Sequence, residues 1–293
     1  MSILTLENVS KHFGKVRAAH EVSIDIEEGE VFGFIGPNGA GKSTTIRMII
    51  GALKETSGSI YFKGEDIRKN KNYIEQISYV PGDVNLWENL TGMEVINFFM
   101  DMRGFKDKAM RDRLIKKFRL DPAKKCKTYS KGNRQKVALI SALLSEADLL
   151  IFDEPTTGLD PLMERAFHEE ILAARDAGKS VLLSSHILSE VEKLADRIAI
   201  IRDGEIIETG RLADLSHITR IEYIIGSDDD LAFLKDKPYV HDFKVEGGYT
   251  HLMVDNDKIT EFMAAVGKLR ITHLVTEPPK LEDIFMRYYE DKS

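Results

Sequence analysis

Gly36-Pro37-Asn38-Gly39-Ala40-Gly41-Lys42-Ser43-Thr44 has the spacing G-x-x-x-x-G-K-[ST] of a phosphate-cradling loop. Each residue type there has a chemical use. The glycines let the backbone curl so that its N–H groups point at phosphate oxygens. Lys42 adds a positive charge for the β- and γ-phosphates, and the Ser43 hydroxyl is a ligand for Mg2+. Two more groups carry chemistry. Asp153 and Glu154 end the apolar run Leu149-Leu150-Ile151-Phe152. At a strand tip Asp153 can hold Mg2+, directly or through water. Glu154 can polarise a water aimed at the γ-phosphate, provided water and phosphate are held in line. His186 follows the run Ser180-Val181-Leu182-Leu183-Ser184 and can hydrogen-bond a γ-phosphate. Singly, paired acids are often just solvated and a strand-end histidine is often structural. Their weight comes from sharing a chain with the loop.

These groups need elements to position them. Glu30 to Ile35 reads as a buried strand before the loop. Thr44 to Ile50 reads as the helix after it, whose N-terminus favours anions. Leu149 to Phe152 and Ser180 to Ser184 read as further buried strands, and Pro161 to Ala177 as a helix with proline in its first turn. Strands alternating with helices imply a parallel sheet with crossover helices. Neighbouring parallel strands would bring Glu154 and His186 to one sheet edge, where ligands gather. Ser2 to Glu30 alternates polar and apolar residues as half-buried strands do, and Leu86 to Leu144 is helical in pattern. Asp203-Gly204, between two apolar runs, predicts a hairpin.

After about Ser216 the pattern changes. Ile221 to Ile225 reads as a strand and Asp229 to Lys235 as a helix. Phe243 to Val245 and Thr250 to Val254 flank a turn at Gly247-Gly248. Ile259 to Leu269 reads as a helix and Ile271 to Val275 as a strand. That order, β-α-β-β-α-β, predicts a ferredoxin-like unit over 218–293, separate from 1–217. A last helix is expected over Lys280 to Glu290, with Leu281, Ile284, Phe285 and Tyr288 on its apolar face.

The bulk numbers exclude several classes. With 293 residues, 43% hydrophobic and 30% charged, the chain has room for one large domain and a small one. No apolar run approaches the ~18–20 residues of a membrane span, and the N-terminal residues lack the pattern of a signal peptide. Cys126 is the sole cysteine, which rules out an intrachain disulfide or a cysteine zinc cluster and suits the cytoplasm. The net charge is −7, of which −5 falls in 218–293. Arg103 to Lys136 holds 14 basic residues against 3 acidic ones, either a face for anionic lipid or a partner, or a solvated helical face. The acidic balance argues against nucleic acid as the main partner.

Taken in order, the motifs resemble the ABC-transporter ATPase family over about residues 2–215. The phosphate loop matches Walker A, and Leu149 to Glu154 matches Walker B with its catalytic glutamate. Tyr129-Ser130-Lys131-Gly132-Asn133-Arg134-Gln135 resembles the signature L-S-G-G-Q. Thr157-Gly158-Leu159-Asp160 resembles the D-loop, and His186 the switch histidine. Phe13 lies 29 residues before Lys42, where the family stacks an aromatic on adenine. Lys131 and Asn133 depart from the signature, while Ser130 and Gly132 keep the hydroxyl and open backbone that meet a γ-phosphate. Where the family has a glutamine after the strand resembling Ile77 to Pro81, this chain has Gly82, beside Asp83.

The resemblance implies a fold with a RecA-like core, an antiparallel β subdomain and a helical subdomain at about 86–144. It implies ATP and Mg2+ as cofactors and a head-to-tail dimer, homomeric or with a paralogous subunit. Each ATP would lie between Lys42, Ser43 and Asp153 of one subunit and Ser130 and Gly132 of the other. With no span of its own, the chain would work peripherally at the cytoplasmic face of the membrane with a separate integral permease. The helical region with Trp87, Phe98 and Phe99 would receive it, although most of those aromatics are expected to pack inside. The Tyr-Ser-Lys-Gly-Asn-Arg-Gln pattern and the tail ending Pro279-Lys280-Leu281-Glu282-Asp283-Ile284-Phe285 look like bacterial ATPases serving ABC-2-type permeases, mostly exporters of drugs, antimicrobial peptides or lipid-linked compounds. The alternatives are an import ATPase, a soluble ABC ATPase acting elsewhere, or a module in which ATP only regulates binding.

Overall fold

The computed structural model describes residues 1–211, 214 and 220–277. The chain divides into two compact units, Met1–Thr209 and Gly210–Ser293.

The first unit opens with a long antiparallel hairpin, β1 (Ser2–Phe13) and β2 (Val16–Glu27). Then come β3 (Val31–Ile35), α1 (Lys42–Ile49), β4 (Ser57–Phe62), β5 (Glu65–Asp66) and β6 (Ile77–Val80). Three helices follow: α2 (Gly92–Met102), α3 (Lys108–Lys117) and α4 (Lys131–Leu143). The unit continues with β7 (Leu149–Asp153), α5 (Pro161–Asp176), β8 (Ser180–Ser185), α6 (Leu188–Leu194), β9 (Arg197–Arg202) and β10 (Glu205–Arg211), whose last two residues pass the boundary between the units. One sheet has the order β2-β1-β4-β5, and the other β10-β9-β3-β8-β7-β6. In the second sheet β9, β3, β8, β7 and β6 run parallel. All residues of β3, β7 and β8 are buried, as strands covered on both faces must be. The hairpin at Asp203-Gly204 forms with both residues at positive φ, which suits the twist of its strands.

Local chemistry explains the helix boundaries. Thr91 and Glu94 make a reciprocal capping box that starts α2. The Asp160 carboxylate accepts the N–H groups of Leu162 and Met163 and starts α5. Helix α3 is tied to α5 by a buried carboxylate: Glu170 accepts two hydrogen bonds from the Arg113 guanidinium, at 2.6 and 2.9 Å, and one from Lys117 at 2.7 Å. Burial resists ionisation of Glu170, yet Arg113 and Lys117 outweigh it and hold its pKa below the usual 4.5.

The aromatic expectation needs correction. Trp87 and Phe98 are 52% and 46% exposed. Helix α2 turns Val95, Ile96 and Met100 inward, and Phe98, two residues from Ile96, lies on the other side. The rings of Trp87, Phe98 and Phe99 pack on each other, with centroids 5.2 to 6.1 Å apart.

The second unit consists of β11 (Arg220–Ser227), β12 (Val240–Glu246), β13 (Tyr249–Asp255), α7 (Ile259–Val266) and β14 (Ile271–Glu277). Its sheet, in the order β12-β13-β11-β14, is antiparallel throughout, the arrangement of a ferredoxin-like unit. It has its own core, in which the rings of Tyr223 and Phe262 lie 4.6 Å apart. The helix expected over Asp229 to Lys235 is instead a short 3-10 turn, Ala232–Asp236. Ser227 and Asp230 bond the backbone N–H groups of Asp229 and Ala232, a local alternative to helix, and Pro238 follows closely. Helix α7 stops at Gly267, short of the expected Leu269. The expected helix at 280–290 lies outside the described residues.

Candidate functional site

The parallel sheet gathers the chemistry-bearing residues because it aligns strand ends. Ile35 of β3 pairs with Ser185 of β8, and Ser184 of β8 with Asp153 of β7. The residues after each strand therefore emerge side by side: the phosphate loop from β3, His186 from β8 and Glu154 from β7. Gly82, after β6, joins the same edge, since a Cβ on it would lie 3.1 Å from the Asp153 carbonyl oxygen.

The phosphate loop leads directly into α1. Gly41 caps the helix at φ 111°, and a Cβ there would lie 2.4 Å from the Ala18 carbonyl oxygen. No side chain caps the N-terminal N–H groups of α1, so they suit an anion. A cavity of about 170 Å³ is lined by Ala18, Pro37, Asn38, Gly39, Gly41, Lys42, Ser43, Thr44 and Glu154. Ala18 carries no sequence signal; it belongs here because the β1–β2 hairpin passes the loop.

Lys42 is almost fully buried. Its Nζ donates to the Gly36 carbonyl at 2.5 Å and pairs with Glu154 Oε1 at 3.1 Å. The other oxygen of Glu154, Oε2, bonds His186 Nδ1. A carboxylate only accepts, so Nδ1 carries the hydrogen of this bond. One carboxylate thus joins groups from three loops. Glu154 also sits at φ 51°, a left-handed conformation costing a non-glycine residue on the order of 1–2 kcal/mol. Its backbone N–H donates to the Ser184 carbonyl at 3.0 Å, which holds that conformation. Asp153, also buried, accepts a 2.5 Å hydrogen bond from the Ser184 hydroxyl. The charge of Asp153 and burial together push the nearby Tyr79 phenol up to about 12, burial contributing more. Ser184 is a residue that motif reading missed as an anchor.

The remaining expected site residues stand apart from this cavity's lining. Phe13 ends β1, half exposed, with Lys11 Nζ 5.2 Å from its ring centroid. Ser130 caps α4, accepting from the Asn133 N–H at 3.3 Å. Gly132 meets the loop before α5, where its Cβ would fall 2.4 Å from the Gly158 carbonyl oxygen. Asp160 spends its carboxylate on capping α5.

The donor set fits a magnesium nucleotide. Mg2+ keeps several waters and takes one or two protein oxygens plus phosphate oxygens. Ser43 and Asp153 offer that number, and the described residues hold no cluster of three or more His, Cys, Asp or Glu that would bind a metal unaided. The loop amides and Lys42 supply donors for a polyphosphate.

Comparison with known proteins agrees with this chemistry. The ABC transporter family model matches residues 19–157, and the model for the C-terminal domain of DrrA1-3-like ATP-binding proteins matches 216–289. The chain is 33% identical to the ABC transporter ATP-binding protein YhaQ of Bacillus subtilis, covering 97% of each chain. It is 31% identical to the bacitracin transport ATP-binding protein BcrA of Bacillus licheniformis, covering 98% of this chain and 97% of that one. A solved ATP-binding subunit of an ABC transporter is 33% identical and superposes with a TM-score of 0.68, over 73% of this chain and 92% of that one. The dimeric ATP-binding cassette MJ0796, solved in a post-hydrolysis state with ADP and Pi, is 25% identical with a TM-score of 0.64, over 71% of this chain and 98% of that one. Spaced motifs, sheet order, cavity and full-length similarity converge, and the chain belongs to the family of ABC transporter ATP-binding proteins, as an ATPase subunit.

Proposed function

We propose that this chain hydrolyses ATP at the edge built by β3, β7 and β8, and that hydrolysis drives a separate membrane permease of the ABC-2 type that exports its substrate. The observation that carries the hydrolytic reading is the Glu154 carboxylate joined to both Lys42 and His186. When bound, the magnesium nucleotide supplies the electrophilic γ-phosphoryl group. Lys42 and the loop amides neutralise phosphate charge, and Ser43 and Asp153 hold the metal. Glu154 orients a water in line and takes its proton, while His186 holds Glu154 and the terminal phosphate in one geometry. Gly36 to Thr44 cradle the phosphates, and Phe13 offers a ring for the base. Gly82 stands in place of the family's glutamine and offers no side-chain ligand, so Asp83 or water would take that place.

Ser130, Gly132 and Asp160 complete the site from a second subunit in a head-to-tail dimer, either another copy of this chain or a paralogue. None of the three lines the cavity, which supports this reading. The γ-phosphate then works as a switch, joining subunits before hydrolysis and releasing them after it.

Export is supported by the end-to-end similarity to a bacitracin transport ATPase and by the DrrA-like tail. Drugs, antimicrobial peptides and lipid-linked compounds are the substrate classes that follow. No helix among the described residues is long and apolar enough to cross a membrane, so the pathway belongs to a partner. The exposed Trp87 and Phe98, beside a cavity of about 470 Å³ with Glu88, Asn89 and Leu90, offer that partner an apolar seat at the cytoplasmic membrane face. The test is purification from membranes in mild detergent. A multi-span protein held by wild type and lost on Trp87→Ala supports the reading; a chain that leaves the membrane alone and hydrolyses ATP unaided sinks it.

A further inference from the structure

Behind the catalytic edge lies a buried carboxylate that the reading above does not use. Glu190 sits on α6 and is 5% exposed. Its Oε2 accepts the Thr156 hydroxyl at 3.1 Å and the Ser185 hydroxyl at 3.0 Å. Thr156 is two residues beyond Glu154, and Ser185 immediately precedes His186. The other oxygen, Oε1, has no hydrogen-bond partner and faces His168 Nε2 of α5 at 3.7 Å. Burying a carboxylate on two neutral donors is expensive compared with an apolar filler of the same volume.

We propose that Glu190 is a positioning residue for hydrolysis, one that clips the Glu154 loop to the His186 loop. The geometry gives the mechanism. A single oxygen takes one hydroxyl from the Glu154 loop and one from Ser185, the last residue of β8, from which the His186 loop departs, so neither side moves without straining the other bond. Ser185 passes the constraint on, since its Oγ also accepts the N–H of Ile187 at 3.0 Å, bracketing His186. On the other side, the Thr157 N–H donates to the Glu154 carbonyl at 3.3 Å, next to the left-handed backbone of Glu154. The clip is anchored to the sheet by close packing. A Cβ on Gly33 of β3 would lie 2.2 Å from Val191 Cγ1, so α6 reaches its position only over a glycine. His168 brings a second element, α5, to the same carboxylate. Fixing a base and its partner within a fraction of an ångström is worth an order of magnitude in rate when the reaction needs an in-line water.

The inference rests on Glu154 and His186 acting as a pair in hydrolysis. Steady-state ATPase kinetics on the full chain test it. Glu190→Ala should lower kcat about tenfold, and Thr156→Val and Ser185→Ala about threefold each, with KM for ATP within about twofold of wild type. Glu190→Gln keeps an oxygen that accepts both hydroxyls and should recover at least about a third of wild-type kcat. In a Glu154→Gln background, Thr156→Val should bring no further loss, because the clip acts through Glu154. Wild-type kcat in both Thr156→Val and Ser185→Ala overturns the proposal, as does an undiminished loss in the Glu154→Gln background. If Glu190→Ala proves unfolded by circular dichroism, those two small substitutions decide alone. Full turnover in Glu154→Gln itself would instead refute the pair reading, an outcome separable from a failure of Glu190.

Discussion

The two units of this chain use their sheets in opposite ways. In the first, parallel strands β3, β8 and β7 end together, and their following loops bring Lys42, His186 and Glu154 within bonding distance. In the second, β12 and β13 form a hairpin and every neighbouring strand pair among the described residues is antiparallel, so the loops that follow neighbouring strands leave from opposite ends. The second unit has ionisable groups, but across its sheet they form small separate sets: Arg220 and His241 share Asp255, and His251 faces Glu222. Parallel topology concentrates chemistry at one edge, whereas antiparallel topology spreads it.

The comparison predicts where substitutions hurt. The largest effect is expected for Lys42→Ala, which removes the loop's one side-chain cation; ATP turnover should fall about a thousandfold or more. Measurable turnover near wild type would mean that chemistry resides elsewhere. Glu154→Gln should lower turnover by about a hundredfold or more and retain ATP. Size-exclusion chromatography with Mg-ATP should then move the chain toward twice its mass, and a persistent monomer at high concentration would speak against the shared site.

Buried charge away from the edge should matter for stability alone. Glu170→Gln breaks the tie of α5 to Arg113 and Lys117. Since Arg113 is half exposed, the expected cost is about 2 kcal/mol, below the usual range for a fully buried pair. The pKa of Glu170 is lower folded than unfolded, so its contribution is complete above the ordinary value of 4.5 and disappears as pH falls through the folded value. Wild type and variant should therefore converge in urea unfolding as the solution is acidified below 4.5, and a pH-independent gap would contradict this. The smallest effect is expected for removing 218–293. Nucleotide affinity of residues 1–217 should stay within about threefold, because the phosphate loop lies wholly within the first unit and the second has a core of its own. A folded truncation that fails to bind ATP would erase the contrast between the units.

Much of this was legible in the residue order. The phosphate loop, the acidic pair after Phe152, His186 and the hairpin at Asp203-Gly204 are local patterns, readable because backbone curvature and strand periodicity depend on near neighbours. The alternation of β12, β13 and their Gly247-Gly248 turn was equally plain. Other features were decided only when distant segments met. The exposure of Trp87 and Phe98 depends on which face of α2 finds a core. Ser227 and Asp230 favoured local backbone bonds over a helix, a balance that propensity alone does not settle. Ala18, Ser184 and Glu190 joined the site without any motif. By itself the sequence determined which chemical groups the chain carries and the short-range bends that present them. Only the tertiary structure decided that Glu154 joins Lys42 to His186 and that Glu190 stands behind them. Lys42, Glu154 and His186 lie far apart along the chain, as do Thr156 and Glu190, and their meeting depends on strand order and helix packing, which local periodicity does not encode.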